Sequence, residues 1–327
     1  MDFTFLGTSS GVPSRSRNVS GLALRPGRGK PWYLIDCGEA SQHQLQRAPG
    51  YSLHHLAAVL ITHMHGDHCF GLPGLLASAG MSGRQTALTL IGPPELREFV
   101  DCALRVSASY LPFPIDFIDV NTLGTWQGPG ATVDAWPLSH RLPCWAYRFS
   151  ETDIERKLDK DALLAAGIEP GPRWGQLLRG EPALADDGRV LPRKNFLLPA
   201  RAPRRIVVAG DNDRPELLGE ACRDAQVLIH EATYKREDFE RVGAGRQHSH
   251  AAQVGQFAQQ IGIDNLVLTH FSPRYSNVAD SSDSIDSLGA EAAAVYRGRL
   301  FLAEDFARYQ LVIDGSLTRL SDGPTKK

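Results

Sequence analysis

Short apolar runs recur along the chain, and each closes on a residue able to bind a cation. Residues 57–61, Ala-Ala-Val-Leu-Ile, are apolar and end β-branched, which predicts a buried strand with Thr62 onward leaving it as a loop. Residues 132–138 alternate and run into Ser139-His140, Arg205 to Ala209 runs into Gly210-Asp211, and residues 265–268 run into Thr269-His270. The opening Met-Asp-Phe-Thr-Phe-Leu also enters a strand directly. Helical patterning is weaker: one predicted helix carries His43, with His54 and His55 in the loop after it. A short helix over 161–166 is expected to stop at Gly167, before the turn-rich Pro170-Gly171-Pro172.

The first of these strand ends carries the densest chemistry. Residues 63–68 read His-Met-His-Gly-Asp-His, three imidazoles and a carboxylate within six positions. His63 and His65 lie two apart on an extended segment and point the same way, while Asp67 and His68, past the flexible Gly66, turn toward a second point. Such groups clustered against a buried strand carry a desolvation cost that metal coordination removes. Two adjacent cations are therefore expected, zinc first, with manganese, iron or cobalt as alternatives for a His/Asp donor set. Gly210 lets the Asp211 carboxylate approach closely, and two oxygens make a carboxylate a natural bridge between cations.

Bulk properties limit the rest. The 327 residues, 42% hydrophobic, are enough for a sizeable core, and no apolar stretch approaches the roughly 20 residues needed to span a bilayer. The start shows no basic region or cleavage site, so a cytoplasmic protein with no membrane partner is expected. Cysteines 37, 69, 102, 144 and 222 are scattered without a Cys-x-x-Cys pair and read as reduced packing residues with no disulfide partner. The formal charge of −2 hides a local surplus: residues 154–205 hold eleven Lys or Arg against seven Asp or Glu, in a stretch rich in Gly and Pro. A loop this long within a compact domain is functional or disordered.

The ligand order resembles the metallo-β-lactamase fold family, whose signature is His-x-His-x-Asp-His followed by a distant His, a bridging Asp and a last His. The resemblance implies an α/β fold, a four-layer αβ/βα sandwich with a dinuclear site at one edge of two packed sheets. It assigns His63, His65 and His140 to one metal and Asp67, His68 and His270 to the other, with Asp211 shared. More specifically, the chain resembles the ribonuclease Z family. The stretches that carry this are Phe5-Leu6-Gly7-Thr8, Pro13-Ser14-Arg15-Ser16-Arg17-Asn18 (with Arg15 where the family has Lys), Asp36-Cys37-Gly38-Glu39-Ala40, and Gly71-Leu72-Pro73-Gly74-Leu75-Leu76. Later come Gly167-Ile168-Glu169-Pro170-Gly171-Pro172, His230-Glu231-Ala232-Thr233, and Thr269-His270-Phe271-Ser272-Pro273-Arg274-Tyr275. The chain departs from the family in having His248-Ser249-His250 for His-Ser-Thr, and Gly210-Asp211-Asn212 for Gly-Asp-Thr.

The resemblance implies a zinc-dependent endonuclease that removes the 3′ trailer from precursor tRNA, leaving a tRNA 3′-hydroxyl and a trailer 5′-phosphate. Asp67 would orient and deprotonate the attacking water, and His248, oriented by Glu231, would protonate the leaving ribose oxygen. Arg15, Arg17 and Asn18 are expected near the cleaved end, with Arg274 and Tyr275 on the acceptor strand. The single domain would carry an inserted flexible arm, residues 154–200, that grips tRNA through Arg173, Arg179, Arg193 and Lys194, one subunit of a homodimer serving the other. Two rivals stand beside this reading. A lactonase- or thioesterase-like hydrolase would keep every ligand but has no use for a basic arm; a non-catalytic RNA binder would need a closed, usually Cys-rich metal site. Exonuclease activity of the ribonuclease BN type, and cleavage of CCA-bearing precursors, stay open.

Overall fold

The computed structural model describes residues 1–27, 29–277 and 283–320. It divides into two compact units, residues 1–151 with 204 onward, and residues 152–203. In the first unit the chain lays down β1 (Asp2–Gly7), β2 (Gly21–Arg25), β3 (Trp32–Cys37), β4 (Leu56–Leu60), β5 (Leu88–Gly92) and β6 (Ile115–Asp119), followed by β7 (Thr125–Gly128), β8 (Ala131–Leu138) and β9 (Cys144–Glu151). After the second unit come β10 (Arg205–Ala209), β11 (Val227–Glu231), β12 (Asn265–Thr269), β13 (Arg299–Leu302), β14 (Arg308–Leu311) and β15 (Leu317–Leu320).

These strands form two mixed sheets, ordered β15-β14-β1-β2-β3-β4-β5-β6 and β13-β12-β11-β10-β9-β8-β7. Period-2 alternation explains the layers. In β3, Tyr33 and Ile35 join one apolar cluster with Phe3, Phe5, Tyr147 and Phe149, whereas Trp32 and Leu34 join another with Leu45, Leu72, Leu76 and Leu96. The second cluster lies under helices Ser41–Arg47, Leu72–Met81 and Glu95–Val106; helices Ala251–Ile261 and Ile285–Val295 pack together and contribute Val254, Phe257 and Leu288 to the first. The result is the expected four-layer αβ/βα sandwich. Strands buried on both faces read as nearly continuous apolar runs, which is why Leu228, Ile229, Leu266, Val267 and Leu268 are all fully covered.

The strand ends deliver the polar residues. β4 and β12 run parallel to both neighbours and β10 runs parallel to β11, and His63, Asp211 and His270 follow their carboxyl ends. The strand expected over 57–61 is shifted back by one residue, and the segment past Gly66 is a helical turn, Gly66–Cys69, which turns Asp67 and His68 away from His63 and His65.

Residues 152–203 contain two helices, Lys160–Ala165 and Pro172–Arg179. Asp159 caps the first by accepting from Ala162 N, and Gly180 ends the second in the left-handed region. Leu158, Leu163, Ile168, Leu177, Ala183 and Phe196 form this unit's own apolar cluster. The sequence foresaw the first helix to within a residue and missed the second, because Pro172 reads as a turn and is instead a helix start.

Candidate metal centre

His63, His65 and His140 converge on one side of Asp211, and Asp67, His68 and His270 on the other. Asp211 Oδ2 lies 3.6 Å from both His63 Nε2 and His140 Nε2, while Oδ1 lies 3.5 Å from His68 Nε2 and 3.4 Å from His270 Nε2. One carboxylate thus faces both groups with separate oxygens. A Cβ on Gly210 would fall 2.5 Å from Cys144 Sγ and 2.7 Å from Thr62 Cβ, so only glycine admits the approach that brings Asp211 in.

Hydrogen bonds on the far side of each ring fix which nitrogen faces inward. His68 Nδ1 donates to Asp36 Oδ2 at 2.7 Å and His140 Nδ1 to Gln247 O at 2.8 Å, leaving both Nε2 lone pairs toward Asp211. Burial, reinforced by neighbouring imidazoles, pushes His63 well below its ordinary pKa, and burial likewise lowers His65 and His140, which favours the neutral form that can bind a cation. Burial opposes charge on His68 as well, yet Asp211, Asp67 and Asp36 push it up to about 10. A group of carboxylates that would charge a buried imidazole is the electrostatic setting a cation relieves. Five imidazoles, a bridging carboxylate and a second carboxylate fit two divalent ions.

Asp67 Oδ2 accepts from Gly11 N at 2.7 Å and lies 3.3 Å from His270 Nε2. Burial opposes its ionisation, but His68 and His270 hold it far below the usual carboxylate range. His270 itself has φ 57°, a left-handed conformation uncommon outside glycine. Beside the cluster, His248 Nδ1 lies 3.0 Å from Glu231 Oε1 and 3.8 Å from Asp211 Oδ2. Burial works against charge on His248, and the Glu231 and Asp211 carboxylates overcome it, raising the ring to about 9. Glu231 is fully buried and accepts from Thr233 Oγ1 at 2.5 Å, and that hydroxyl in turn lies 3.2 Å from His270 Nδ1. The His/Asp cluster opens into a cleft of about 510 Å³ between Gly11, Glu39, Phe70 and His248, with Phe70 and Val12 exposed on its lip.

Other expected contacts are placed differently. Arg17 is buried, with its guanidinium donating to Thr8 Oγ1, Ala303 O and Asn277 Oδ1, so it builds the loop and is not free to grip a nucleotide. Tyr275 is buried too, its hydroxyl donating to Asp238 Oδ2 at 2.5 Å, which removes it from stacking on RNA. Asn18 Nδ2 donates to Glu39 O at 2.9 Å. Arg15 is exposed on the rim of a second cleft of about 450 Å³, and Arg274 is exposed with its guanidinium 5.1 Å from the Tyr234 ring. Within residues 152–203, Arg173 pairs with Asp186 and Arg179 with Glu181, while Arg193 donates to Leu177 O and Leu178 O. Much of the local positive charge is thus matched internally.

Asp36 was missed as a site residue. Its Oδ1 accepts from Thr62 N and its Oδ2 from Thr62 Oγ1 and His68 Nδ1, joining the end of β3 to the ligand loop. The signal was available: an acid closing the apolar run Trp32-Tyr33-Leu34-Ile35 needs partners if the strand is buried.

A family model described as Anti-Pycsar protein Apyc1 matches residues 1–113, less than half of the chain. Ribonuclease Z of Marinobacter nauticus is 52% identical over 321 residues, 98% of this chain and 99% of that protein. Ribonuclease BN of Cronobacter sakazakii is 39% identical, over 94% and 98% of the two chains. In three dimensions, human tRNase Z, short form, superposes with a TM-score of 0.66 at 24% identity, covering 96% of this chain and 100% of the other. A metallo-β-lactamase fold protein from Bacillus subtilis gives 0.62 at 19%, over 94% and 98%. With identity this high over nearly its whole length, the chain belongs to the ribonuclease Z family of hydrolytic endoribonucleases, within the metallo-β-lactamase superfamily.

Proposed function

We propose that this protein is a zinc-dependent endonuclease that removes the 3′ trailer from precursor tRNA, leaving a 3′-hydroxyl on the tRNA and a 5′-phosphate on the trailer. The observation that carries the reading is the Glu231–His248 pair set 3.8 Å from the bridging Asp211, because a ribose 3′-oxygen departs only if it is protonated. The curated relatives named ribonuclease Z support the substrate. Two divalent cations, when bound by His63, His65, His140, Asp211, Asp67, His68 and His270, supply a nucleophilic water near neutral pH and offset charge on the phosphoryl oxygens.

The chain's own groups do the rest. Asp67 orients the attacking water and takes its proton. Glu231 keeps His248 charged and aimed, and His248 gives a proton to the leaving oxygen. Arg15 and Arg274, both exposed, take the phosphates flanking the cleaved bond. Residues 154–200 serve as the tRNA-binding arm, with Arg156, Lys157, Lys160 and Lys194 as further exposed cations beside Arg173 and Arg179. A cytoplasmic homodimer belongs to the same proposal; among the described residues no helix is long and apolar enough to cross a membrane.

The test is to incubate the pure protein with one precursor tRNA, with and without CCA, and map both ends. A single cut after the discriminator or CCA supports the proposal; a ladder of shortened 3′ ends points to exonucleolytic trimming. Intact precursor beside rapid turnover of lactones or thioesters would overturn it.

A further inference from the structure

Asn212 has no exposed surface, and its bonds run to three other segments of the site as well as within its own loop. Its main-chain N donates to Glu231 Oε1 at 3.0 Å, and its carbonyl accepts from Ser249 Oγ at 2.6 Å. Its side-chain Oδ1 accepts from Ser139 N and from Arg214 N, each at 3.2 Å, and its Nδ2 faces His230 Nε2 at 3.1 Å. Ser139 precedes His140, Ser249 follows His248, and Asn212 itself follows Asp211.

The direction of the amide is fixed by chemistry. His230 Nδ1 lies 2.7 Å from Glu231 O, and a carbonyl only accepts, so Nδ1 carries the proton. In a neutral ring Nε2 must then accept, so the Asn212 atom facing it is the NH2 group. Oδ1 is left pointing at the two main-chain N–H groups, which is the one arrangement that satisfies every partner.

We propose that Asn212 is a positioning residue, with His230 as its brace. Its side chain sets the loop of His140 against Asp211, and its main chain sets the Glu231–His248 pair against the same carboxylate. Two spacings depend on it: 3.6 Å from His140 Nε2 and 3.8 Å from His248 Nδ1 to Asp211 Oδ2. A single buried residue therefore couples the ligand cluster to the proton donor. This rests on reading His140 and Asp211 as ligands and His248 as the acid.

The experiment uses full-length Asn212→Ala, His230→Ala, their double variant and Ser249→Ala. Zinc binding to metal-stripped protein is read by calorimetry, and hydrolysis of bis(p-nitrophenyl) phosphate gives kcat and KM. Asn212→Ala is expected to weaken zinc binding and lower kcat by roughly 10–100-fold, with KM nearly unchanged and the protein folded by circular dichroism. His230→Ala should act in the same direction, and the double variant should be no worse than Asn212→Ala alone, because the brace acts only through the amide. Ser249→Ala should leave zinc binding unchanged and slow RNA cleavage more than hydrolysis of the activated ester.

Unchanged zinc affinity and kcat in a folded Asn212→Ala variant would overturn the proposal. So would additive losses in the double variant, or a loss of kcat equal to the unfolded fraction. If Asn212→Ala does not fold, His230→Ala and Ser249→Ala still decide: full zinc affinity in the first, or equal losses on both substrates in the second, sinks the idea. Zinc binding and hydrolysis of the aryl ester do not involve tRNA, so failure of the tRNA reading would register separately.

Discussion

His248 Nδ1 and Glu231 Oε1 lie 3.0 Å apart in a pocket where Glu231 is 1% exposed, making this pair a charge-assisted hydrogen bond beside the candidate metal centre. Burial disfavours charge on both partners, and each holds the other ionised: Glu231 far below the usual carboxylate range, His248 raised to about 9.

An acid catalyst must be protonated, so activity on RNA should fall as pH rises through the His248 pKa. Glu231 raises that pKa. Glu231→Gln should therefore move the alkaline limb of the kcat profile to lower pH, and His248→Ala should abolish the limb. A limb that stays in place in Glu231→Gln would show that another group sets it.

The same pair predicts a leaving-group effect. Nitrophenolate departs unprotonated, whereas a ribose 3′-oxygen does not, so His248→Ala should slow precursor tRNA cleavage by about 100-fold or more while changing aryl phosphodiester hydrolysis far less. Equal losses on both substrates would mean that His248 binds substrate or supports the fold.

Because Asp211 presents one oxygen to each ligand group, Asp211→Ala should lose both metals, and His140→Ala mainly one. Plasma emission analysis of the purified variants reads this directly. Two ions still bound in Asp211→Ala would rule out the bridge.

Arg15 and Arg17, two positions apart, should behave oppositely. Arg17→Ala removes the buried donor to Thr8 Oγ1 and Ala303 O and should cost about 2–4 kcal/mol in urea unfolding. Arg15→Ala should change stability by less than about 0.5 kcal/mol and weaken RNA binding alone. The reverse pattern would refute the placement of the loop.

Replacing residues 154–200 with a short Gly/Ser linker should leave aryl phosphodiester hydrolysis nearly intact while tRNA affinity collapses. Log affinity plotted against log salt should also become shallower, since fewer phosphate counterions are released. A folded, metal-loaded variant with full affinity and slope would refute the tRNA-binding role of this segment.

The strands and their terminal ligands were legible because buried parallel strands leave uninterrupted apolar runs, and a histidine or aspartate just past such a run stands out. Arg205 to Ala209 matches β10 residue for residue for this reason. What stayed hidden depended on partners far along the chain. Arg17 resembles any exposed arginine in a Ser-rich turn until Asn277 and Ala303 close over it, and Tyr275 looks available for stacking until Asp238 takes its hydroxyl. The count of charges in the insert likewise gave a net surplus but not the pairing: Asp186 and Glu181 lie against Arg173 and Arg179.

Ser150 and Arg205 face each other across β9 and β10, and Glu151 N donates to Arg204 O at 3.0 Å, with the two side chains joined through Glu151 Oε1 and Arg204 Nη2 at 2.5 Å. The chain thus leaves the sheet and re-enters it between hydrogen-bonded neighbours, which makes residues 152–203 the loop of a β-hairpin. The entropy of closing a loop grows only with the logarithm of its length, so such a hairpin tolerates large changes in what hangs from it. Evolution could therefore lengthen, shorten or exchange this segment without disturbing the strand that leads to Asp211, and a protein engineer could graft a new element at the same two residues.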